Sequence, residues 1–332
     1  MVTTPNISVI IPSNHSQHDL LKIIDAVCCQ TVKPVEIILI DSSDGCGACP
    51  AKVAVLCKAS GIELFYESRA QAFPGAARNI GLGLCNGEVI AFIDVQTIPQ
   101  PNWLEASLTL LENEGVMGIF GATSFSAETS FERLARDAFF GVLPRKTLPG
   151  SVFRREVFVK TGHFIDQLRA GEDVEWMKRL NLLNISSFYV SSTLIDYIGL
   201  IGLDLSKLLK KWYRNYSAAR NLPHLYPQKL FLWVVLYPLI IFIALSWNNL
   251  IANWRVDSPF YIGHVTKMAV ILPPLFYVFI RGIILPLRRG VSFSRLFPIR
   301  FIAISSLCFL ADTIKAIAFS IPQRKQAKDF KE

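Results

Sequence analysis

Residues 74–94 read PGAARNIGLGLCNGEVIAFID, a helix candidate from Gly75 to Asn86 followed by the apolar run Val89 to Ile93 that ends at Asp94. Working outward, Ile7 to Ile11 is a similar short run ending at Pro12, and Val35 to Ile40 is another ending at Asp41. Between those two, Asp19 to Gln30 places Leu20, Leu21, Ile23, Ile24 and Val27 at helical spacing. A further helix candidate, Ala51 to Ser60, precedes the run Ile62 to Tyr66. This alternation predicts an α/β domain with a mainly parallel sheet sandwiched by helices on both faces. No repeat of fixed period is evident.

Ligands of such sheets bind beyond the carboxyl ends of the strands. Those positions hold Pro12, Ser13 and Asn14, the stretch Asp41 to Gly45, and Asp94 to Gln96. A carboxylate after the second strand accepts hydrogen bonds from a base or ribose, as acidic residues do in dinucleotide folds. The G-x-G-x-x-G phosphate fingerprint is missing after the first strand, which disfavours a nicotinamide or flavin enzyme.

The chain has 332 residues, is 52% apolar and only 18% charged, and carries a net charge of +8. That excludes a disordered tail protein and is greasy for a soluble globule, so part of the chain is expected in lipid. Charge is unevenly divided: 16 basic against 21 acidic residues up to residue 200, and 18 against 5 after it. The later cations flank long apolar runs, where anionic headgroups rather than nucleic acid are the expected counterpart. Seven cysteines, six of them between Cys28 and Cys85, and an N-terminus without a basic start or long apolar run point to reduced cytosolic thiols and no secretion signal. Cys46 and Cys49 form a C-x-x-C with no second ligand pair, so ordinary thiols are preferred to zinc. His163 and the His15/His18 pair read as loop residues.

Five strings occur in order: SVIIPSNH, EIILIDSSDG, PGAARNIGLGLCNGEVIAFID, GSVFRREVFVKTGHF and AGEDVEWMKRL. Together they resemble family-two glycosyltransferases of the GT-A fold over residues 7–197. The resemblance implies a nucleotide-sugar donor. On it, Pro12, Ser13 and Asn14 edge the nucleotide pocket, Asp41 contacts the base, and Arg78 sits near the base or diphosphate. Asp94 falls on the first acidic residue of the D-x-D element and Asp173 on the catalytic aspartate. Glu172, Trp176 and Arg179 would line the region where acceptor and diphosphate meet.

The chemistry needs such groups. Displacement at an anomeric carbon builds negative charge on the departing diphosphate, and the incoming hydroxyl must lose a proton. Asp173 is the candidate base of a single inverting displacement, with cationic groups stabilising the leaving group. Plainer readings exist for each residue. Glu172 and Asp173 suit a helix first turn through the dipole. Glu175 and Arg179 are spaced as an i,i+4 pair. Asp41 suits an Asx-type turn with Ser42, Ser43 and Gly45, and Arg78 a cap or solvated helix position.

The chain departs from the pattern at Gln96, where the family usually has an acidic metal ligand, and the late histidine is absent from STLIDYIGL. Mg²⁺ or Mn²⁺ is therefore expected to bind weakly through Asp94, held mainly by the nucleotide.

Beyond residue 200, DLSKLLKKWYRNYSAAR (204–220) reads as an interfacial amphipathic helix with Trp212 and Tyr216 at the headgroups, or as a helix packed on protein. Phe231 to Trp247 and Met268 to Leu287 are expected spans; Phe301 to Ile321, which contains Asp312 and Lys315, is a third span or a re-entrant or interfacial segment. The expected organisation is a transferase domain over 1–200, a juxtamembrane helix over 201–225, membrane helices over 226–322 and a basic tail over 323–332. Basic loops place the catalytic domain on the cytoplasmic side of a plasma (inner) membrane in a multi-pass chain. A crossing third segment would put the basic tail outside, which favours a peripheral one. The expected acceptor is a lipid-linked glycan or envelope polysaccharide, with membrane lipids as partners and no nucleic acid. Alternatives are transfer onto polyprenyl phosphate and, motivated by Gln96, a non-catalytic nucleotide-sugar-binding scaffold.

Overall fold

The structure is a computed structural model that describes residues 5–14, 17–43, 47–189, 194–220, 222, 237–250, 255–261 and 263–320. The chain divides into two compact units. The first holds Met1–Glu132 and Leu143–Leu203, the second Arg133–Val142 and Asp204–Pro322.

The elements of the sheet region follow the expected alternation: β1 (Ile7–Ser13), α1 (Gln17–Cys28), β2 (Glu36–Asp41), α2 (Ala51–Ala59), β3 (Glu63–Ser68), α3 (Pro74–Leu84) and β4 (Val89–Phe92). They continue with β5 (Thr97–Pro99), α4 (Trp103–Leu111), β6 (Gly118–Phe125), α5 (Ser130–Phe139), β7 (Arg145–Arg154), α6 (Glu156–Thr161), α7 (Glu172–Leu182), β8 (Ser187–Tyr189) and β9 (Ile195–Tyr197). The strand order is β3-β2-β1-β4-β7-β6-β9-β5, with β8 also on β6. Strands β1 to β4 are mutually parallel, and β7 runs antiparallel to both β4 and β6.

The runs are continuous rather than alternating because both faces are covered. Val9 and Ile11 of β1 pack into one core with Ile23, Ile24 and Val27 of α1 and Val53 of α2. Ile10, between them, packs into the opposite core with Ile38, Phe92, Phe120, Phe153 and Trp176. Parallel pairing then fixes the rim. Ser13 pairs with Asp41, Asp41 with Ser68, and Ile10 with Phe92. Asp94 therefore emerges at the level of Pro12 and Ser13, on the edge where Asp41 lies.

The second unit contains α8 (Leu205–Ala219), α9 (Tyr237–Leu250), α10 (Val265–Val278), a π-helical turn (Phe279–Ile284), α11 (Leu285–Arg288), α12 (Phe293–Leu296) and α13 (Arg300–Ser320). Among the described residues, two helices are long and apolar enough to cross a membrane, Ile271–Arg288 and Arg300–Phe319. The first expected span begins in residues 231–236, outside the described residues, and the described helix there has 14 residues. The third segment is one continuous helix of 21 residues. Its Asp312 and Lys315 are paired 3.2 Å apart, and Arg281 closes on Asp312 at 2.8 Å, so these charges face protein, as expected. The basic tail, Asp44 to Cys46 and His15 lie outside the described residues.

The segment Arg133–Val142 groups with the second unit rather than with a contiguous domain over 1–200. Asp137, fully buried, receives Arg295 at 3.2 Å and Arg300 at 3.0 Å. Phe139 meets Trp212 with ring centroids 5.1 Å apart. Trp212 and Tyr216 thus lie against protein, the second of the two expected readings of this helix. They stack on each other, and Lys315 Nζ sits 4.3 Å above the Trp212 ring. Asp204 caps α8 by accepting from Lys207 N at 2.8 Å.

Candidate functional site

The rim residues fall into two groups. At the end of β2, Asp41 Oδ1 accepts from the Ser43 amide at 3.1 Å and hydroxyl at 2.6 Å, the Asx-type turn that its sequence allowed. Its Oδ2 accepts from Tyr66 O–H at 3.0 Å, and burial together with this carboxylate pushes the Tyr66 phenol up to about 12. Beside it the Ser13 carbonyl accepts from Ser42 N at 2.8 Å, with Pro12 half-buried and Asn14 exposed. Oδ1 of Asp41 thus has both lone pairs engaged, while Oδ2 keeps one for a further donor.

The second group is built by α3. Arg78, on its inner face and only 3% exposed, donates from Nη1 to Glu172 at 2.7 Å and from Nη2 to Asp94 at 2.9 Å. Its guanidinium also lies 5.7 Å from the centroid of Phe164. The next residue, Asn79, donates to the Phe164 carbonyl at 2.8 Å and accepts from the Phe164 amide at 2.9 Å. Gly75 completes the clamp, because a Cβ there would lie 2.5 Å from the Ile165 carbonyl oxygen. The PGAARN string is thus largely an internal clamp that holds the 164–172 segment against α3. The segment enters α7 through Gly171 at φ +93°, a left-handed conformation that favours glycine.

Asp173, the second residue of α7, is half-buried and accepts from Val174 N at 2.8 Å. Burial raises its carboxyl above the ordinary range, the Arg78 charge opposes that shift, and the Asp94 charge adds to it. Glu172 is pushed up to about 7, first by burial, with Arg78 opposing and Asp173 adding. The structure therefore brings Arg78, Asp94, Glu172 and Asp173 into one electrostatic cluster at the carboxyl edge of the sheet.

Three expected site residues are engaged by protein partners. Arg78 is enclosed between two carboxylates instead of open to a base or diphosphate. Trp176 is fully buried, stacked on Phe158 at 5.4 Å with its N–H on Thr161 Oγ1 at 3.0 Å, so it packs the core and lines no acceptor surface. Arg179 donates to the Thr161 and His163 carbonyls, each at 2.7 Å, and pairs with Glu175 at 2.8 Å, which is the i,i+4 pair. Its guanidinium fastens α7 to the loop after α6.

Gln96 turns its amide oxygen to Tyr197 O–H at 3.3 Å. A Cβ on Gly199 would lie 2.4 Å from that same oxygen. Asp94 meanwhile gives Oδ1 to Arg78. Among the described residues, no three His, Cys, Asp or Glu side chains converge on a metal position. The residues present do not fit a divalent cation held by the protein. Sequence reading missed Asn79, Tyr66 and Tyr197 as supports; only the adjacency of Asn79 to Arg78 hinted at one of them.

The arrangement, a mostly parallel sheet whose carboxyl rim presents Asp41 and a carboxylate cluster at a helix start, is GT-A-like. Residues 8–170 match the family model described as glycosyl transferase family 2, so the chain carries a glycosyltransferase domain of that family over those residues. Glycosyltransferase AglE of Haloferax volcanii is 26% identical over 226 residues, 64% of this chain and 72% of that protein. The pre-mycofactocin glycosyltransferase of Mycobacterium tuberculosis is 26% identical over 200 residues, 53% of this chain but only 39% of that protein. A crystal structure of S. aureus TarS 1–349 in complex with UDP aligns with a TM-score of 0.46 and 13% identity, covering 95% of this chain and 90% of that one.

Replacing Arg78 with Met leaves Glu172 and Asp94 without their shared cation. Loss of one partner from a buried ion pair costs about 3–5 kcal/mol. Urea unfolding of Arg78→Met should show a loss of that order together with lost transferase activity; wild-type stability would contradict the clamp.

Proposed function

We propose that the chain transfers a sugar from a nucleotide-activated donor to a lipid-linked glycan or envelope polysaccharide, by a single inverting displacement at the cytoplasmic face of a membrane. The observation that carries this reading is Asp173, set at the start of α7 within the Arg78–Asp94–Glu172 cluster. A carboxyl raised above the ordinary aspartate range is a better proton acceptor for an incoming hydroxyl than an ordinary aspartate. Pro12, Ser13, Asn14 and Asp41 receive the nucleoside, and Asp94 faces the sugar-diphosphate side. The two apolar helices of the second unit and its basic excess support attachment to a bilayer, where enzyme and lipid-linked acceptor share two dimensions.

In this reading Asp173 takes the acceptor proton while the bond from the anomeric carbon to the diphosphate breaks. Arg78 and Glu172 act indirectly, by fixing Asp94 and the first turn of α7. The cluster holds three carboxyl groups and one guanidinium, so a bare diphosphate would be repelled. The donor therefore arrives with its charge neutralised, any divalent cation being carried by the nucleotide and Asp94 adding at most one oxygen ligand. Gln96 contributes position, through Tyr197, in place of charge.

Asp173→Asn should lower kcat for an alcohol acceptor by ~10²–10⁴-fold while leaving donor KM nearly unchanged. An unaltered kcat in a product assay would remove Asp173 as base. A phosphate acceptor needs little base help, so full activity on polyprenyl phosphate alone would favour the alternative acceptor. Calorimetric titration of Mn²⁺ should show binding only with a nucleoside diphosphate present; tight binding to nucleotide-free protein would contradict a cation carried by the donor.

A further inference from the structure

By length and composition, Arg300–Phe319 of α13 passes for a membrane span: 20 residues with a mean hydropathy of 1.7. Its packing argues otherwise. At its first residue, Arg300 reaches the buried Asp137 of α5 at 3.0 Å. Eight residues on, Cys308 Sγ contacts the Ala138 carbonyl at 3.8 Å. Near its far end, Lys315 lies 4.3 Å above Trp212 and 4.9 Å above Tyr216 of α8, and Tyr216 meets Phe319 with ring centroids 5.9 Å apart. Helix α8 carries Lys207, Lys210, Lys211 and Arg214. At ~1.5 Å per residue these contacts cover about 28 Å, close to the whole thickness of a bilayer core. A crossing α13 would therefore draw the end of α5 and the basic α8 into hydrocarbon with it. It would also place Asp312, with Arg281, Lys315 and Tyr277 around it, inside that layer.

The other side of α13 is a single stripe. Ile302, Ser306, Phe309, Leu310, Thr313 and Ile317 are exposed at helical spacing, and none is charged. Phe309 is 60% exposed and Ile302 49%. The preceding segment exposes Phe293 and Ile299 between Arg288 and Arg300. An apolar stripe beside cations is the pattern of a helix lying in a headgroup layer.

We propose that α13 lies in the plane of an anionic lipid surface, its Ile302–Ile317 stripe sunk among the acyl chains, and does not cross the bilayer. This rests on the membrane reading above. Anionic lipid is the occupant because residues 204–322 contain 14 Lys and Arg against three Asp; a second copy of the same basic surface would meet like charge. An in-plane α13 also keeps the chain before and after it on one side, which accords with basic residues flanking it at both ends.

The test places a fluorescent non-natural amino acid at Ile302, Phe309 or Ile317 of the full chain. The protein is reconstituted in vesicles of phosphatidylethanolamine and phosphatidylglycerol containing lipids brominated at known depths. These side chains are exposed, so the packed face of α13 is left intact. An in-plane helix gives one shallow depth at all three positions. A spanning helix gives a gradient, with Ile302 and Ile317 separated by about 22 Å at ~1.5 Å per residue, and overturns this proposal while leaving membrane attachment standing. Absence of lipid quenching at every position, with the protein left in the aqueous fraction, overturns both.

Discussion

The guanidinium of Arg78, buried between the carboxylates of Asp94 and Glu172, is the contact on which the transferase domain depends. None of the three charges tolerates burial alone, since desolvation of an unpaired ion costs several kcal/mol. Together they tie the sheet edge after β4, the inner face of α3 and the first turn of α7, segments that lie up to 94 residues apart in sequence. Asn79 and Gly75 reinforce the same junction through main-chain contacts with Phe164 and close approach to Ile165. The residues of α3 thus fix where the first turn of α7 sits.

The electrostatics follow from that junction. Three carboxyl groups share one cation in a partly desolvated place, so they cannot all ionise as easily as in water. Glu172 absorbs much of the strain, pushed up to about 7, and Asp173 is raised with it. For both, burial is the leading cause and Arg78 opposes it. A carboxylate raised in this way is a stronger base than an ordinary aspartate.

Much of this was legible in the sequence. The alternation of apolar runs and helical spacings placed every strand from β1 to β4, and parallel pairing put Asp41 and Asp94 on one rim. The family strings identified Asp173, and the structure sets it beside Asp94. What the sequence could not show is which polar side chains point inward. Arg78 read as a cap or solvated cation and Arg179 as a partner of Glu175, yet Arg78 is sealed between carboxylates and Arg179 is also spent on the carbonyls of Thr161 and His163. Trp176 lies three residues past Asp173 on a helix one face of which is core, and burial of its large ring decides its orientation. Gln96 was legible as a departure from an acidic ligand; its partner Tyr197 was not, because the pairing of β5 with β9 brings them together across the sheet. Trp212 and Tyr216 carried an interfacial signature, but aromatic rings beside Lys315 and Phe319 satisfy the same composition by packing on α13.

The central claim is that Asp173 is a base whose basicity is set by its cluster, and the pH dependence of kcat/KM reads it most directly. Because the base must be ionised, the rate should rise with pH through an apparent pKa above the ordinary aspartate value of about 3.9. The Asp94 charge raises that value, so Asp94→Asn should move the limb to lower pH whatever it does to the maximal rate. A limb at the ordinary aspartate position, unmoved by Asp94→Asn, would contradict the account.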